Sequence, residues 1–256
     1  MSRILIDTEG FLVPAAKAAE YSYEWEPANW RIGCRHDEAM AYFMDKLADI
    51  RAFDPSLPIT LCFSSARSFR YGIWSEYKSN RKSEQKVPGW PELVAAVKRL
   101  AISSGCDVVT LQNVEADDAL GILAGPDDFM ASVDKDLLTV PGKHLRNGEL
   151  VVQSEAEADR CFFTQTLVGD RSDHYPGCPG IGEKKAEALL ASSDWIPHWH
   201  FMWERVLAAF LKAGLSEGQA LAQARCARIL RPGEYDFETQ VPRLWTPSTS
   251  PLTGFS

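Results

Sequence analysis

The chain has 256 residues, 45% apolar and 24% charged, with a formal charge of −8. That length supports one sizeable core or a core with a smaller lobe, and the composition, ordinary for a globular protein, argues against disorder over most of the chain. The acidic balance argues against a general polyanion binder. No run reaches the ~18 apolar residues of a membrane span, and MSRILIDTEG is too short in apolar residues for a signal peptide, so a cytoplasmic protein with no membrane contact is expected.

In chain order, RILID (3–7) predicts a buried strand, and HDEAMAYFMDKLADIRAF (36–53) a helix with apolar residues at helical spacing from Ala39 to Ile50. PITLCF (58–63) is a second strand, and GWPELVAAVKRLAISSG (89–105) a helix stopped by Gly105. DVVTL (107–111), the helix in NVEADDALGILAG (113–125) and the strand FMASVD (129–134) continue the alternation. Strands alternating with helices imply βα units around a mainly parallel sheet. After about residue 166 the strand signal fades. PGIGEKKAEALLASS (179–193), HFMWERVLAAFLKAG (200–214) and SEGQALAQARCARIL (216–230) predict helices, the last beginning at Ser216 and Glu217. From about 232 the proline-containing tail is expected to pack as irregular chain through Trp245.

In an open α/β sheet the ligand site lies beyond the C-terminal strand ends. Asp7, the Ser64/Ser65 pair, Glu115 with Asp117 and Asp118, and Asp134 with Asp136 all follow strand runs or open the next helix, so they are expected to converge. Acids in a first helical turn are also stabilised by the macrodipole, by about 0.3–1 kcal/mol each, which accounts for Glu115, Asp117 and Asp118 taken alone. Several such coincidences, with no matching His or Cys set, suit hard divalent cations, Mg²⁺ or Mn²⁺. Two such ions clamp the in-line hydrolysis of a phosphodiester. His198 and His200 have no third partner nearby in sequence, and the six scattered cysteines, none in a CxxC pair, are expected to be reduced core thiols.

Between Arg67 and Lys86 stand six Lys or Arg against Glu76 and Glu84, a local block suited to phosphate or to a solvated helix face. In LVGDRSDHYPGCPGIGEKKAEALL, Asp170 and Asp173 precede a glycine-rich turn and a lysine-bearing helix. Gly180 and Gly182 would let backbone N–H groups approach a phosphate, with Lys184 and Lys185 adding positive field.

The order ILID, FxxxRSFR…YKSNRK, EADD, SVDKD, GDRSD and PGIGEKKA, from residue 3 to about 190, resembles the flap endonuclease/5′→3′ exonuclease family. KAAEYSYEWEPANWR and ARILRPGEYDF…LW are similar to its compact phage double-strand exonucleases. The resemblance implies a PIN/FEN-like α/β catalytic domain at 1–165, with a short arch at about 65–88, and a helical H3TH lobe with tail at 166–256. It implies 5′→3′ hydrolysis of duplex DNA from 5′ ends, RNA/DNA hybrids as further substrates, two Mg²⁺ or Mn²⁺ ions, and K⁺ at the helical hairpin; no protein partner follows. Carried onto this chain, Asp7, Glu115 and Asp117 hold the first metal, and Asp134, Asp136, Asp170 and Asp173 the second, with Asp118 beside both. Lys78 and Arg81 steer the phosphate and are catalytic with Asp117 and Asp134. Arg70, Tyr77, Lys78, Arg81, Lys82, Gly180, Gly182, Lys184 and Lys185 contact DNA, Tyr77 either stacking on a terminal base or packed in the arch.

One departure stands out. The family's aspartate after the second strand is replaced by Ser64 and Ser65, with Ser65 at the matching position. Glu9, two residues beyond Asp7 and on the same face if the chain stays extended, is the candidate substitute. Two other functions are weighed. An aspartate-nucleophile phosphatase is suggested by RILIDTEG alone, where Glu9 spoils the motif. A non-catalytic DNA-end binder is suggested by the two serines.

Overall fold

A computed structural model describes residues 2–83, 87–191 and 199–247. Glu84, Lys86, His198, the tail beyond 247 and the side chains of Lys82 and His200 lie outside that description. A six-stranded sheet forms the centre: β1 (Ile4–Asp7), β4 (Ile59–Phe63), β5 (Asp107–Thr110), β6 (Phe129–Ala131), β7 (Gly142–Arg146) and β8 (Glu149–Gln153). Their spatial order is β5-β4-β1-β6-β7-β8. All neighbours are parallel except the β7–β8 hairpin.

β1 and β4 are buried along their whole lengths, because parallel strands covered on both faces are apolar throughout. Helices α1 (Thr8–Ala18), α2 (His36–Arg51) and α3 (Trp90–Ser103) are joined to one face through Leu12, Phe43, Leu47, Leu93 and Val97. On the other face α4 (Ala116–Leu123) sets Ala119 and Leu120 against Leu5, Cys62 and Met130.

The second body comprises α5 (Glu155–Val168), α6 (Glu183–Leu190), α7 (Trp199–Lys212) and α8 (Glu217–Ala227), packed around Phe162, Phe163, Trp203, Phe210 and Ala224. A boundary at 165 cuts α5, whose Phe162, Phe163 and Leu167 belong to this helical core; Ser154, the N-cap of α5, marks the junction instead. Ser216 caps α8 in a box with Gln219. The tail pairs β9 (Tyr235–Asp236) with β10 (Val241–Pro242). It ends at buried Trp245, whose ring lies 5.2–6.0 Å from those of Phe162, Phe163 and Trp203. The tail is thus less irregular than its prolines suggest.

α1 and the ribbon that follows it had no expectation. α1 holds Pro14 in its interior, which removes one helical hydrogen bond and hides the pattern. A separate two-stranded ribbon joins β2 (Glu20–Glu26) to β3 (Asn29–Cys34). The arch residues 65–83 contain two 3-10 turns, Phe69–Gly72 and Ser79–Ser83, and no α-helix. All six cysteines are free thiols, four of them buried.

Candidate metal centre and nucleic-acid face

Beyond the C-terminal ends of β1, β4 and β6 lies a cavity of about 650 Å³. Asp7, Glu9, Glu115, Asp117, Asp134, Asp136 and Asp173 line it, with Lys78 and Arg81 as its cations. Seven carboxylates against two cations meet in one space. The predicted convergence of strand-end acids is therefore present.

Asp7 ends β1 and caps α1, its Oδ1 accepting the Gly10 N–H at 3.1 Å while the Ser132 hydroxyl donates to Oδ2 at 2.9 Å. Burial, with Glu9 and Asp134 adding repulsion, pushes its carboxyl up to about 6. Ser132 was not singled out in the sequence; it occupies the turn that carries β6 into Asp134, and its hydroxyl oxygen accepts the Asp134 N–H at 3.0 Å.

Glu9 enters from the first turn of α1, because the chain coils directly after Asp7 instead of staying extended. Its carboxylate accepts the Ser64 backbone N–H at 3.1 Å and the Ser64 hydroxyl at 2.7 Å. Ser64 Oγ in turn accepts the Ala116 N–H at the head of α4. Ser65 instead turns its hydroxyl back to the Arg67 carbonyl and does not line the cavity. The serine facing the acids is Ser64, which corrects the expected match at Ser65.

At the head of α4, Glu115, Asp117 and Asp118 bring one oxygen each within 4.8 Å of one another. Their roles differ. Asp118 is fully buried, with Arg70 donating to both its oxygens at 2.6 and 2.8 Å. The backbone N–H groups of Glu115 and Leu230 take its remaining lone pairs, each at 3.1 Å. With every acceptor site engaged, Asp118 serves as the counter-ion of Arg70 and is corrected as a metal ligand. Arg70 is 2% exposed, which corrects it as a DNA contact. It also donates to the carbonyls of Cys226 and Arg228 and to Glu115 Oε2 at 3.2 Å, tying α8 to the head of α4.

Tyr77 is likewise 2% exposed, so the stacking alternative gives way to the packed one. Its hydroxyl lies 2.7 Å from Glu115 Oε2 and 2.8 Å from Asp173 Oδ2, bridging the two groups of acids. Exposed Tyr71, which lines the cavity and meets Tyr77 edge-on at 5.6 Å, is the aromatic that the sequence did not single out. Lys78 bonds Glu115 and lies 3.7 Å from Asp173, and Arg81 donates to Asp173 at 2.7 Å. Burial opposes the charge on Glu115, and the Lys78 and Arg70 cations overcome it, holding that carboxyl low. Asp117 is pushed well up by burial and then by Asp118 and Glu115.

Asp136 is pushed up to about 7 by burial, with Asp134 and Asp170 adding repulsion. Asp170 stands off the cavity wall. Its Oδ1 accepts the Ser172 N–H and hydroxyl and the Asp173 N–H at 2.5–2.9 Å, closing the turn that aims Asp173. Those bonds outweigh burial and hold it below the usual range.

Further along, Gly180 has φ +76°, Gly182 caps α6, and no neighbour lies within 4 Å of where a Cβ would sit at either. Lys184 and Lys185 are exposed, and the Lys185 ammonium donates to the Gly180 carbonyl at 2.8 Å. The arch docks on the GDRSD turn through Asn80 on the Arg171 carbonyl, Arg81 on that of Ser172 and Trp74 on that of His174.

No family model matches the sequence. The exodeoxyribonuclease of Enterobacteria phage T3 is 27% identical, the match covering 95% of this chain and 92% of that one. The exonuclease of Escherichia phage T7 is 28% identical over 95% and 93%. Over nearly its whole length this chain is thus similar to phage 5′-end exonucleases of the kind its motifs resemble. Its fold is similar to that of the bacteriophage T5 flap endonuclease, solved as a complex with DNA and metal ions, at 13% identity, 89% and 93% coverage and a TM-score of 0.52. The mainly parallel sheet with a helical lobe is accordingly the PIN/FEN-like fold expected from the sequence. Among the described residues no helix is long and apolar enough to cross a membrane.

Proposed function

We propose that this chain is a divalent-metal-dependent 5′→3′ exonuclease that hydrolyses phosphodiester bonds from the 5′ ends of double-stranded DNA, and of RNA in RNA/DNA hybrids. The observation carrying it is the set of seven carboxylates around one cavity with only Lys78 and Arg81 to offset them. Burial raises the carboxyls of Asp7 and Asp136, and neighbouring carboxylates add repulsion to it. The lining holds oxygen donors and no His or Cys, which fits Mg²⁺ or Mn²⁺ better than softer metals.

Asp7, Glu115 and Asp117 would hold one ion, and Asp134, Asp136 and Asp173 the other, with Asp170 orienting Asp173. When bound, the ions supply an activated water and neutralise charge on the scissile phosphate. Tyr77 fixes Glu115 against Asp173, so the two groups of ligands keep their separation. Lys78 and Arg81, on the arch side of the cavity, are placed to exchange their carboxylate partners for the phosphate and to support the departing charge. The hairpin Gly180–Gly182 with Lys184 and Lys185 contacts the duplex backbone without reading bases, and its carbonyls are the proposed K⁺ site.

The Ser64–Glu9 pair answers the non-catalytic alternative, since a carboxylate reaches the cavity from α1 where the family places one after β4. Asp134→Asn is expected to abolish nucleotide release while leaving duplex binding intact. Near-normal turnover of that variant at saturating Mg²⁺ would remove the two-metal assignment.

A further inference from the structure

The β2–β3 ribbon stands outside the central sheet and carries a row of aromatic rings whose use the carboxylate cavity does not explain. Tyr21 and Tyr23 occupy alternate positions of β2 and share one face, and Trp25 follows at the bulge between Glu24 and Glu26. Their ring centroids follow at 5.8 and 6.4 Å. Gly33 lies opposite Tyr21, where a Cβ would come within 2.5 Å of the ring, and Arg35 sits 4.6 Å above it. Tyr21 is thereby held in place, and Tyr21, Tyr23 and Trp25 are 38%, 37% and 63% exposed.

Charge is divided between the two faces. Arg31 stands opposite Tyr23 on the aromatic face, and Glu20 and Glu24 take the alternate positions that point the other way. Rings spaced at about 6 Å beside a guanidinium suit the bases and phosphates of an extended single strand better than a flat duplex backbone. The ribbon also follows directly on a helix that lines the cavity. α1 gives Val13 and Pro14 to the cavity wall and ends at Ala18, about 6 Å further along the helix axis.

We propose that Tyr23 and Trp25 form a stacking platform for the 3′-ended strand that is left unpaired as the 5′ strand is degraded. The platform rests on the exonuclease reading, because removing nucleotides from one 5′ end uncovers the complementary strand.

The test is fluorescence anisotropy of the full chain in EDTA with three duplexes: blunt, with a ten-thymidine 3′ extension, and with the same extension made of abasic residues. Wild type is expected to bind the thymidine extension about tenfold more tightly than the blunt duplex, the scale of one or two base stacks, and to gain little from the abasic one. Trp25→Ala and Tyr23→Ala are expected to lose most of that gain, and Trp25→Phe to keep it, with blunt-duplex affinity unchanged. An equal gain from abasic residues, or an undiminished gain in Trp25→Ala, overturns the platform. Self-association of wild type that Trp25→Ala abolishes also overturns it, assigning the face to a second copy. Nucleotide release from blunt duplex with Mg²⁺, measured in parallel, reports separately on the exonuclease reading.

Discussion

Removing divalent metal should leave the protein destabilised at alkaline pH, and neutralising Asp136 should relieve this. The Asp136 carboxyl is pushed from its ordinary 3.8 up to about 7 by burial and by Asp134 and Asp170. Below pH 3.8 both folded and unfolded forms are protonated, and the group contributes nothing. As pH rises above 3.8 the unfolded chain ionises while the folded one keeps its proton, so stability falls until about pH 7 and then levels off. The full gap corresponds to about 4 kcal/mol, and solvent reaching this half-buried carboxylate reduces it to ~2 kcal/mol. Asp7, pushed up to about 6, acts in the same direction. For a chain of this size ~2 kcal/mol moves the melting temperature by about 4–8 °C. In EDTA, Asp136→Asn should therefore melt near wild type at pH 4 and about 4–8 °C above it at pH 8, while losing nucleotide release with Mg²⁺. Adding Mg²⁺ to wild type at pH 8 should raise its melting temperature through ligand linkage. A variant that melts below wild type at pH 8, or a wild type whose metal-free stability is flat from pH 5 to 8, refutes the reasoning.

Asp118→Asn should cost about 3–5 kcal/mol in urea unfolding by leaving buried Arg70 without its counter-ion; unchanged stability with a raised Mg²⁺ midpoint would instead restore Asp118 as a ligand. Ser64→Asp should alter the Mg²⁺ midpoint of nucleotide release, whereas Ser65→Asp should not, because only Ser64 faces the cavity and Glu9; the reverse order would contradict the site drawn here. Glu9→Gln should raise the Mg²⁺ requirement, and a silent Glu9→Gln would leave that carboxylate with no part in metal binding. Lys78→Ala should lower turnover at saturating Mg²⁺ by about 10²-fold, the scale of losing one charge-stabilising donor, and a change confined to the Mg²⁺ midpoint would contradict its role at the phosphate.

Four of the five parallel strands were legible, most plainly β1 and β4, which are buried on both sides and therefore read as unbroken apolar runs, whereas β7 was not. α1 was hidden by Pro14, and the β2–β3 ribbon by having no buried face to produce alternation. The acids were legible as a set, since strand ends and helix heads converge in any open α/β sheet. Their division of labour was not. Asp117 and Asp118 are adjacent in sequence, but one helical step of about 100° turns the second into the protein, onto Arg70 and the Leu230 backbone from the far end of the chain. The same holds for Tyr77 and Lys78: both occur in one basic motif, and only tertiary packing buries the ring and leaves the cation on the cavity wall. Ser64 and Ser65 differ by the alternation of a strand end, which sequence alone leaves open by one residue.

The most direct measurement is nucleotide release from one duplex labelled at either the 5′ or the 3′ terminus of the same strand, with Mg²⁺ and with EDTA, for wild type and Asp134→Asn. Wild type with Mg²⁺ is expected to release the 5′ label early and the 3′ label late, with neither released in EDTA or by the variant. Release of the 3′ label first, release that persists in EDTA, or an active Asp134→Asn would contradict it.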